Sequence, residues 1–277
     1  MKKLILHADD YGFAPSISDG ILKAYEFGLL KSASALVNFP CSQTYLNKAK
    51  ETKLDLGWHL NLSLGLPLSA PKKIPSLVDH KGSFFSLKKL LLKSFLGLLD
   101  KKELELELRA QLKFLQTHYG PVSHVDGHQH IHVFPGIRET LKKILLEEKI
   151  PYLRLPREVN FFQGKRKLTR LFLALQKGSG SLFWKETKVQ SPAFYGLGLG
   201  KDSHSLHAWT KLLSTIHKDC AEVMLHPGFL NKGENLYGDD FPGNREAELE
   251  CLLSASFKEL IATKNFECRS FRLLLEP

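Results

Sequence analysis

Cysteine is scarce in this chain. Four cysteines (Cys41, Cys220, Cys251, Cys268) are scattered over 277 residues, without a Cys-x-x-Cys pair. That spacing offers neither a disulfide framework nor a thiolate zinc site. It suits thiols used as core residues in a reducing cytoplasm, which is the expected location. Long apolar runs are missing too. The N-terminal MKKLIL is cut short by Asp9 and Asp10, so the roughly 7–15 apolar residues of a signal-peptide core do not form. No stretch approaches the ~20 apolar residues that span a bilayer. Low-complexity linkers and internal repeats are absent. The net charge of +10 invites anionic partners. Yet no basic helix-turn-helix, RNA-binding signature or zinc finger is visible, so no nucleic-acid partner is expected.

What is present is ordinary in composition and regular in rhythm. The chain is 43% hydrophobic and 25% charged, as soluble globular proteins are. Its length suits a large core, with roughly 75% of the unfolded surface buried. Strand patterns at 3–8, 32–39, 55–63, 122–133, 152–156, 191–199, 221–226 and 268–275 alternate with helix patterns at 16–30, 44–52, 103–118, 135–149, 168–176, 205–217 and 244–264. Alternation of this kind implies parallel strands joined by crossover helices. An open doubly wound sheet would satisfy it. About eight near-regular units fit an α/β fold of the (β/α) TIM-like barrel type better. We read residues 1–277 as one barrel domain with insertions near 64–102 and 157–190.

The chemistry-bearing residues collect at one end of that rhythm. Strand one runs into Asp9-Asp10-Tyr11. The third carries His59 and Asn61 in GWHLN. The fourth ends in DGHQHIH, with Asp126, His128, His130 and His132. The strand AEVMLH ends in His226 before Pro227-Gly228. Carboxylates and imidazoles at the C-terminal ends of four barrel strands read as a site. Neighbouring strand side chains point to opposite faces, so Asp9 and Asp10 share a site only where the chain turns. Three histidines at i, i+2, i+4 share one strand face with Asp126. His128 and His132 lie roughly 13 Å apart in an extended strand, so one ion takes both only if the chain bends. The expected ligand set is one carboxylate and one histidine from each of two strands, with open positions for water and substrate. The second aspartate is then free as a general base.

HADDYGFAPSISDGI, SASALVNFP, DLGWHLNL, HVDGHQHIHVFP and VMLHPGF resemble, in order, the motifs of the YdjC-like carbohydrate deacetylases, the ChbG/HpnK family. The resemblance runs from residue 3 to about 275, and IPYLRLPREV is most similar to the hopanoid-associated HpnK branch. It implies a glycoside hydrolase/deacetylase barrel that removes an N-acetyl group from an amino sugar with one divalent metal ion, magnesium or zinc. Carried over by motif, Asp10, His59 and His128 are the ligands. Asp9 is the base, and His226 the acid or transition-state stabiliser. Asp126 orients a ligand histidine, while His130, Asn61 and Tyr11 support the site or touch substrate. His7 stands where the family often has asparagine.

Other readings stay open at this stage. A metal-dependent phosphoesterase or amidohydrolase uses the same residue types, though often with two metals. A non-catalytic sugar- or lipid-binding protein is the other class. Trp58, Phe194 and Tyr195 are candidates for sugar stacking or for plain core. KKLLLKSFLGLLDKK (88–102) and KRKLTRLFLALQK (165–177) are basic and amphipathic. They form a lid, pack on the domain, or make peripheral membrane contact. A homodimer is compatible with all of this, and the sequence leaves the oligomeric state open.

Overall fold

A computed structural model describes residues 1–158, 183–230 and 244–274. The helix pattern at 168–176 and the basic stretch 165–177 lie outside these residues. Among the described residues, eight strands form one parallel sheet: β1 (Lys2–Tyr11), β2 (Ser32–Ala35), β3 (Asp55–Leu60), β4 (His124–Gly127), β5 (Tyr152–Leu153), β6 (Ala193–Tyr195), β7 (Cys220–Leu225) and β8 (Phe266–Cys268). The order is β5-β4-β3-β2-β1-β7-β6, with β8 on β1. One edge of β1 pairs with β7 over Lys3–Ala8. The other edge is shared, β8 taking Lys2–Leu4 and β2 taking His7–Tyr11.

The sheet curls strongly. Arg154 follows β5, yet its Nε donates to Glu222 of β7 at 2.6 Å. Those strands stand five places apart, about 24 Å in a flat sheet. The ladder does not close, however. Among the described residues, isolated bridges alone span the gap from the β5 side to the β6 side, Tyr152 to Gln190 and Glu158 to Phe194. The closed barrel expected from the rhythm is therefore corrected to a curled, parallel half-barrel. The physical reason lies in β5 and β6, two and three residues long, which are too short for a continuous ladder.

Both faces of the strands are buried, and alternation sorts them. Leu4, Leu6 and Ala8 of β1, Leu56, Trp58 and Leu60 of β3, and Ala221, Val223 and Leu225 of β7 join the apolar core beneath the helices. The intervening His7, Asp9, Asp55, His59, His124, Asp126 and Glu222 turn into the concave interior, all buried. A Cβ on Gly57 would meet the His124 ring at 2.2 Å, so glycine vacates the space that imidazole fills. His124 in turn stacks on Phe271, with centroids 4.1 Å apart.

Among the described residues the helices are α1 (Pro15–Phe27), α2 (Ser42–Lys50), α3 (Leu87–Phe95), α4 (Lys101–His118), α5 (Ile137–Glu148), α6 (Leu206–Ser214), α7 (Arg245–Leu253) and α8 (Ala255–Thr263). Pro15 opens α1, where its missing N–H costs nothing. Asp100 caps α4, its Oδ1 accepting from Lys102 N and Glu103 N at 2.8 and 3.1 Å. The single helix expected over 244–264 is two, because Ser254 takes an extended ψ of 145° and caps α8 through Phe257 N. The expected strand at 268–275 gives way to β8 and a 3-10 turn at Arg272–Leu274. Within the insertion near 64–102 lie a 3-10 turn at Pro71–Lys73 and all of α3.

Candidate active site

β1 delivers its two carboxylates by breaking its own alternation. Asp9 points inward in regular register. Asp10 then adopts φ +69°, and the β1–β2 register shifts between Ala8 and Tyr11. Aspartate is among the few residues with a side chain that visit this left-handed region readily. The turn carries Asp10 beside Asp9 instead of opposite to it, and both are 3% exposed.

Asp10 Oδ1 lies 3.5 Å from His59 Nε2 and 3.3 Å from His128 Nδ1. The other oxygen, Oδ2, accepts from Arg245 at 2.7 Å. Oδ1 itself, though buried, has no hydrogen-bond partner, and neither has His128 Nε2. One ligand atom each from Asp10, His59 and His128 falls within 4.8 Å of the others. An unsatisfied buried carboxylate oxygen facing two imidazoles is a donor set that could hold a divalent cation. Burial works against a charged Asp10, but Arg245 and the two histidines hold its pKa well below the usual carboxylate range.

The ring of His59 is set from behind. Its Nδ1 lies 2.8 Å from Asp126 Oδ1 and 3.0 Å from Ser34 Oγ, which leaves Nε2 facing Asp10. A carboxylate behind an imidazole fixes its orientation and raises its basicity. Burial opposes protonation of His59, yet Asp126, Asp10 and Asp9 push its pKa up to about 10. Asp126 Oδ2 accepts from Ser34 Oγ at 3.0 Å and lies 2.9 Å from Arg154. Arg154 also grips Asp9 through two parallel bonds of 2.8 Å. Burial raises the Asp9 pKa, but Arg154 outweighs it and keeps the carboxyl below its ordinary value. Burial wins at Glu222, whose pKa is raised although Arg154 bonds it.

His226 closes the far side, its Nε2 3.9 Å from Asp9 Oδ2. Its backbone N–H donates to Glu248 Oε1, and Arg245 reaches its carbonyl. The chain is seated here by a close approach: a Cβ on Gly20 would meet Gly228 Cα at 2.5 Å. Burial pushes the His226 pKa down to about 4 and that of Glu248 up to about 7. The resting His226 is neutral.

The histidine run behaves differently from its pattern. β4 ends at Gly127, and Gln129 and His130 take φ of 54° and 57° inside a 3-10 turn over His128–Val133. The expectation that the three histidines share one strand face is corrected by this bend. His128 alone meets Asp10. His130 packs edge-on to Phe194, with centroids 5.7 Å apart. His132 Nε2 is paired with Arg154 O at 2.8 Å. Asn61 spends its amide on the loops after β2 and β3: Nδ2 donates to Asn38 Oδ1 and Leu64 O, and Oδ1 accepts from Ser63 N and Leu64 N. Tyr11 lies in the apolar core, its hydroxyl donating to Tyr45 O at 2.7 Å. Trp58, Phe194 and Tyr195 are core residues as well.

Sequence reasoning passed over Arg154, Glu222, Arg245 and Glu248. For two of them a signal existed. Arg154 sits in YLRLP and Glu222 in AEVML, and a charge amid a buried strand is almost never unpaired. Arg245 and Glu248 open a helix like any solvated face, and only the fold reveals them.

Among the described residues, two further groups meet the spacing for an ion: His7, Asp126 and Glu222, and Asp9, His59 and Asp126. Arg154 already lies within 2.9 Å of all three of the carboxylates Asp9, Asp126 and Glu222. A cation there would compete with a guanidinium for the same oxygens.

Known proteins share this plan. A solved structure from Enterococcus faecalis V583, a proposed cellobiose-phosphate cleavage protein, superposes with a TM-score of 0.78 at 23% identity, covering 99% of this chain and 98% of that one. A chitooligosaccharide deacetylase of Yersinia enterocolitica is 31% identical, with 98% of both chains covered. A carbohydrate deacetylase of Xenopus laevis is 28% identical over 97% of both. The profile of the YdjC-like protein family matches residues 3–263, and the chain belongs to that family.

Proposed function

We propose that this protein is a metal-dependent hydrolase that removes the N-acetyl group from an amino sugar and releases acetate. The observation that carries the reading is the unsatisfied Asp10 Oδ1 facing His59 and His128, with Asp9 and His226 on its flank. The relatives named as carbohydrate and chitooligosaccharide deacetylases support the substrate class. Asp10, His59 and His128 would hold one divalent ion, magnesium or zinc. Such an ion supplies Lewis-acid polarisation of the acetyl carbonyl and acidifies a water.

Asp9 is ionised across the physiological range and takes the proton of the attacking water. Arg154 fixes the carboxylate plane while this happens, at the expense of basicity. As the carbon–nitrogen bond breaks, the amine needs a proton. His226 is neutral at rest, so it must gain a proton before it can give one. The 3.9 Å between its Nε2 and Asp9 Oδ2 offers the route. The proton removed from water passes to the leaving amine, and the products are acetate and a free amino sugar. The sugar is either part of an oligosaccharide or carried on a lipid such as a hopanoid.

Acetate release from N-acetylglucosamine oligomers and an N-acetylglucosaminyl lipid tests this, with and without chelator. Release should be abolished by chelator and reduced about 10²–10⁴-fold in Asp9→Asn, the usual range for loss of a general base. Release that survives chelation refutes metal dependence. No release from any substrate by the metal-loaded protein moves the site to phosphoester or other amide chemistry.

A further inference from the structure

α3 is amphipathic in an unusual sense. Its inner face is secured: Leu90 and Ser94 are buried, and Ser94 Oγ donates to Pro135 O at 2.6 Å. Pro135 lies two residues past the turn that carries His128, so α3 sits on the rim that supports the site. Its outer face and the turn beyond it are apolar and wet. Leu92 is 60% exposed, Phe95 51%, Leu96 61% and Leu98 55%. Four large apolar side chains exposed within seven residues form a patch, not the scattered singles normal on a protein surface.

The charge around this patch is mostly of one sign, with Asp100 the exception between Leu98 and Lys101. Lys88, Lys89 and Lys93 lie on the helix, and Lys101 and Lys102 follow it. No aspartate or glutamate occurs from residue 80 to residue 99. Helical spacing sets three of these lysines beside the apolar side chains: Lys88 and Lys89 precede Leu92 by four and three positions, and Lys93 precedes Leu96 by three. A bulky apolar tip rimmed by lysines complements one environment in particular, the interface of an anionic lipid bilayer. A second copy of the chain would bring five more lysines against these five.

We infer that the outer face of α3 and the turn through Leu98 form a peripheral docking surface for anionic membranes. Leu92, Phe95, Leu96 and Leu98 enter the headgroup boundary, and the lysines meet lipid phosphates. No helix among the described residues is long and apolar enough to cross a membrane, so the contact is interfacial. It does not depend on the catalytic reading, and its test needs no turnover.

The experiment is cosedimentation of the full chain with vesicles of phosphatidylcholine alone or mixed with phosphatidylglycerol. The wild type should pellet with the mixed vesicles and be released by high salt. The triple change Leu92→Ser, Phe95→Ser, Leu96→Ser should weaken binding at least tenfold with the melting temperature retained, because the three side chains are solvent-exposed. Lys88→Gln with Lys89→Gln and Lys93→Gln should give a loss on the order of tenfold or more. Failure of the wild type to bind mixed vesicles overturns the inference. So does binding that the serine variant leaves unchanged. A concentration-dependent dimer in light scattering, abolished by the serine variant while vesicle binding is absent, reassigns the patch to a second copy of the chain.

Discussion

Asp9 and Asp10 are neighbours in the chain, yet they stand in halves of the site built on different terms. Around Asp9 the protein settles its own charge: Arg154 lies within 2.9 Å of Asp9, Asp126 and Glu222. Around Asp10 it stops short. Arg245 satisfies one oxygen, and the other faces two imidazoles without a hydrogen bond. A closed half holds geometry by itself, whereas an open half leaves room for a group from outside. One residue step along β1 separates them, and the left-handed turn at Asp10 makes that step possible.

The comparison breaks most visibly at Arg154. Arg154→Met leaves three buried carboxylates without their shared cation, and unfolding in urea should show a loss of ~3–5 kcal/mol. A loss no larger than that of an exposed ion pair, about 1 kcal/mol, would mean that the closed half is not held this way. The open half is sharpened by adding magnesium or zinc to chelated protein. At a hundredfold excess over the dissociation constant, stability should rise by roughly 2.7 kcal/mol. The rise should vanish in Asp10→Asn; if that variant gains as much as the wild type, the ion binds elsewhere.

Acidification addresses the flank of the site. Burial holds His226 and His132 down to about 4, below the ordinary histidine value of about 6.5. As pH falls between those values the unfolded chain binds protons that the folded chain refuses, so stability falls. Each histidine should contribute a loss on the order of 3 kcal/mol by pH 4, and His226→Gln should remove its share. His59 works the other way. Its pKa is raised to about 10, so in chelated protein its stabilisation is full below about 6.5 and fades as pH rises toward 10. A urea midpoint independent of pH across both windows would contradict these assignments. The smallest effect belongs to Asn61→Ala. It should cost about 1–3 kcal/mol in stability with the turnover rate of acetate release kept, because the amide is used by the loops after β2 and β3. A collapse in turnover at unchanged stability would return Asn61 to the site.

Much of this was legible in the sequence because period-2 and helical patterns report burial directly. β1, β3, β7, α4 and α5 follow their patterns closely. That carboxylates and histidines gather at one end of the sheet was legible as well, from the ends of parallel strands; that Asp10, His59 and His128 are the ones that meet was implied by the family resemblance alone. The bend in DGHQHIH was not, because nothing in the residues announces two consecutive left-handed conformations at Gln129 and His130. Tyr11 was misplaced for a related reason. The turn at Asp10 resets the alternation that would have aimed Tyr11, and it ends in the core against Tyr45. Closure of the sheet was misjudged because the rhythm counts strands but not their lengths, and β5 and β6 are too short to complete the ladder. Arg154 and Arg245 belong to contacts 145 and 235 residues apart in the chain. No local pattern encodes such distances.

The positive φ of Asp10 has a consequence for how far this position can drift. The backbone admits glycine, asparagine and aspartate at little strain, and penalises glutamate and every β-branched residue. The cluster asks for a negatively charged oxygen at short reach. Only aspartate meets both conditions. The two demands come from different sources, one from the torsion of the main chain and one from the imidazoles facing it. A random walk through sequence space therefore finds no neutral neighbour at residue 10: asparagine preserves the turn and loses the charge, and glutamate preserves the charge and opposes the turn.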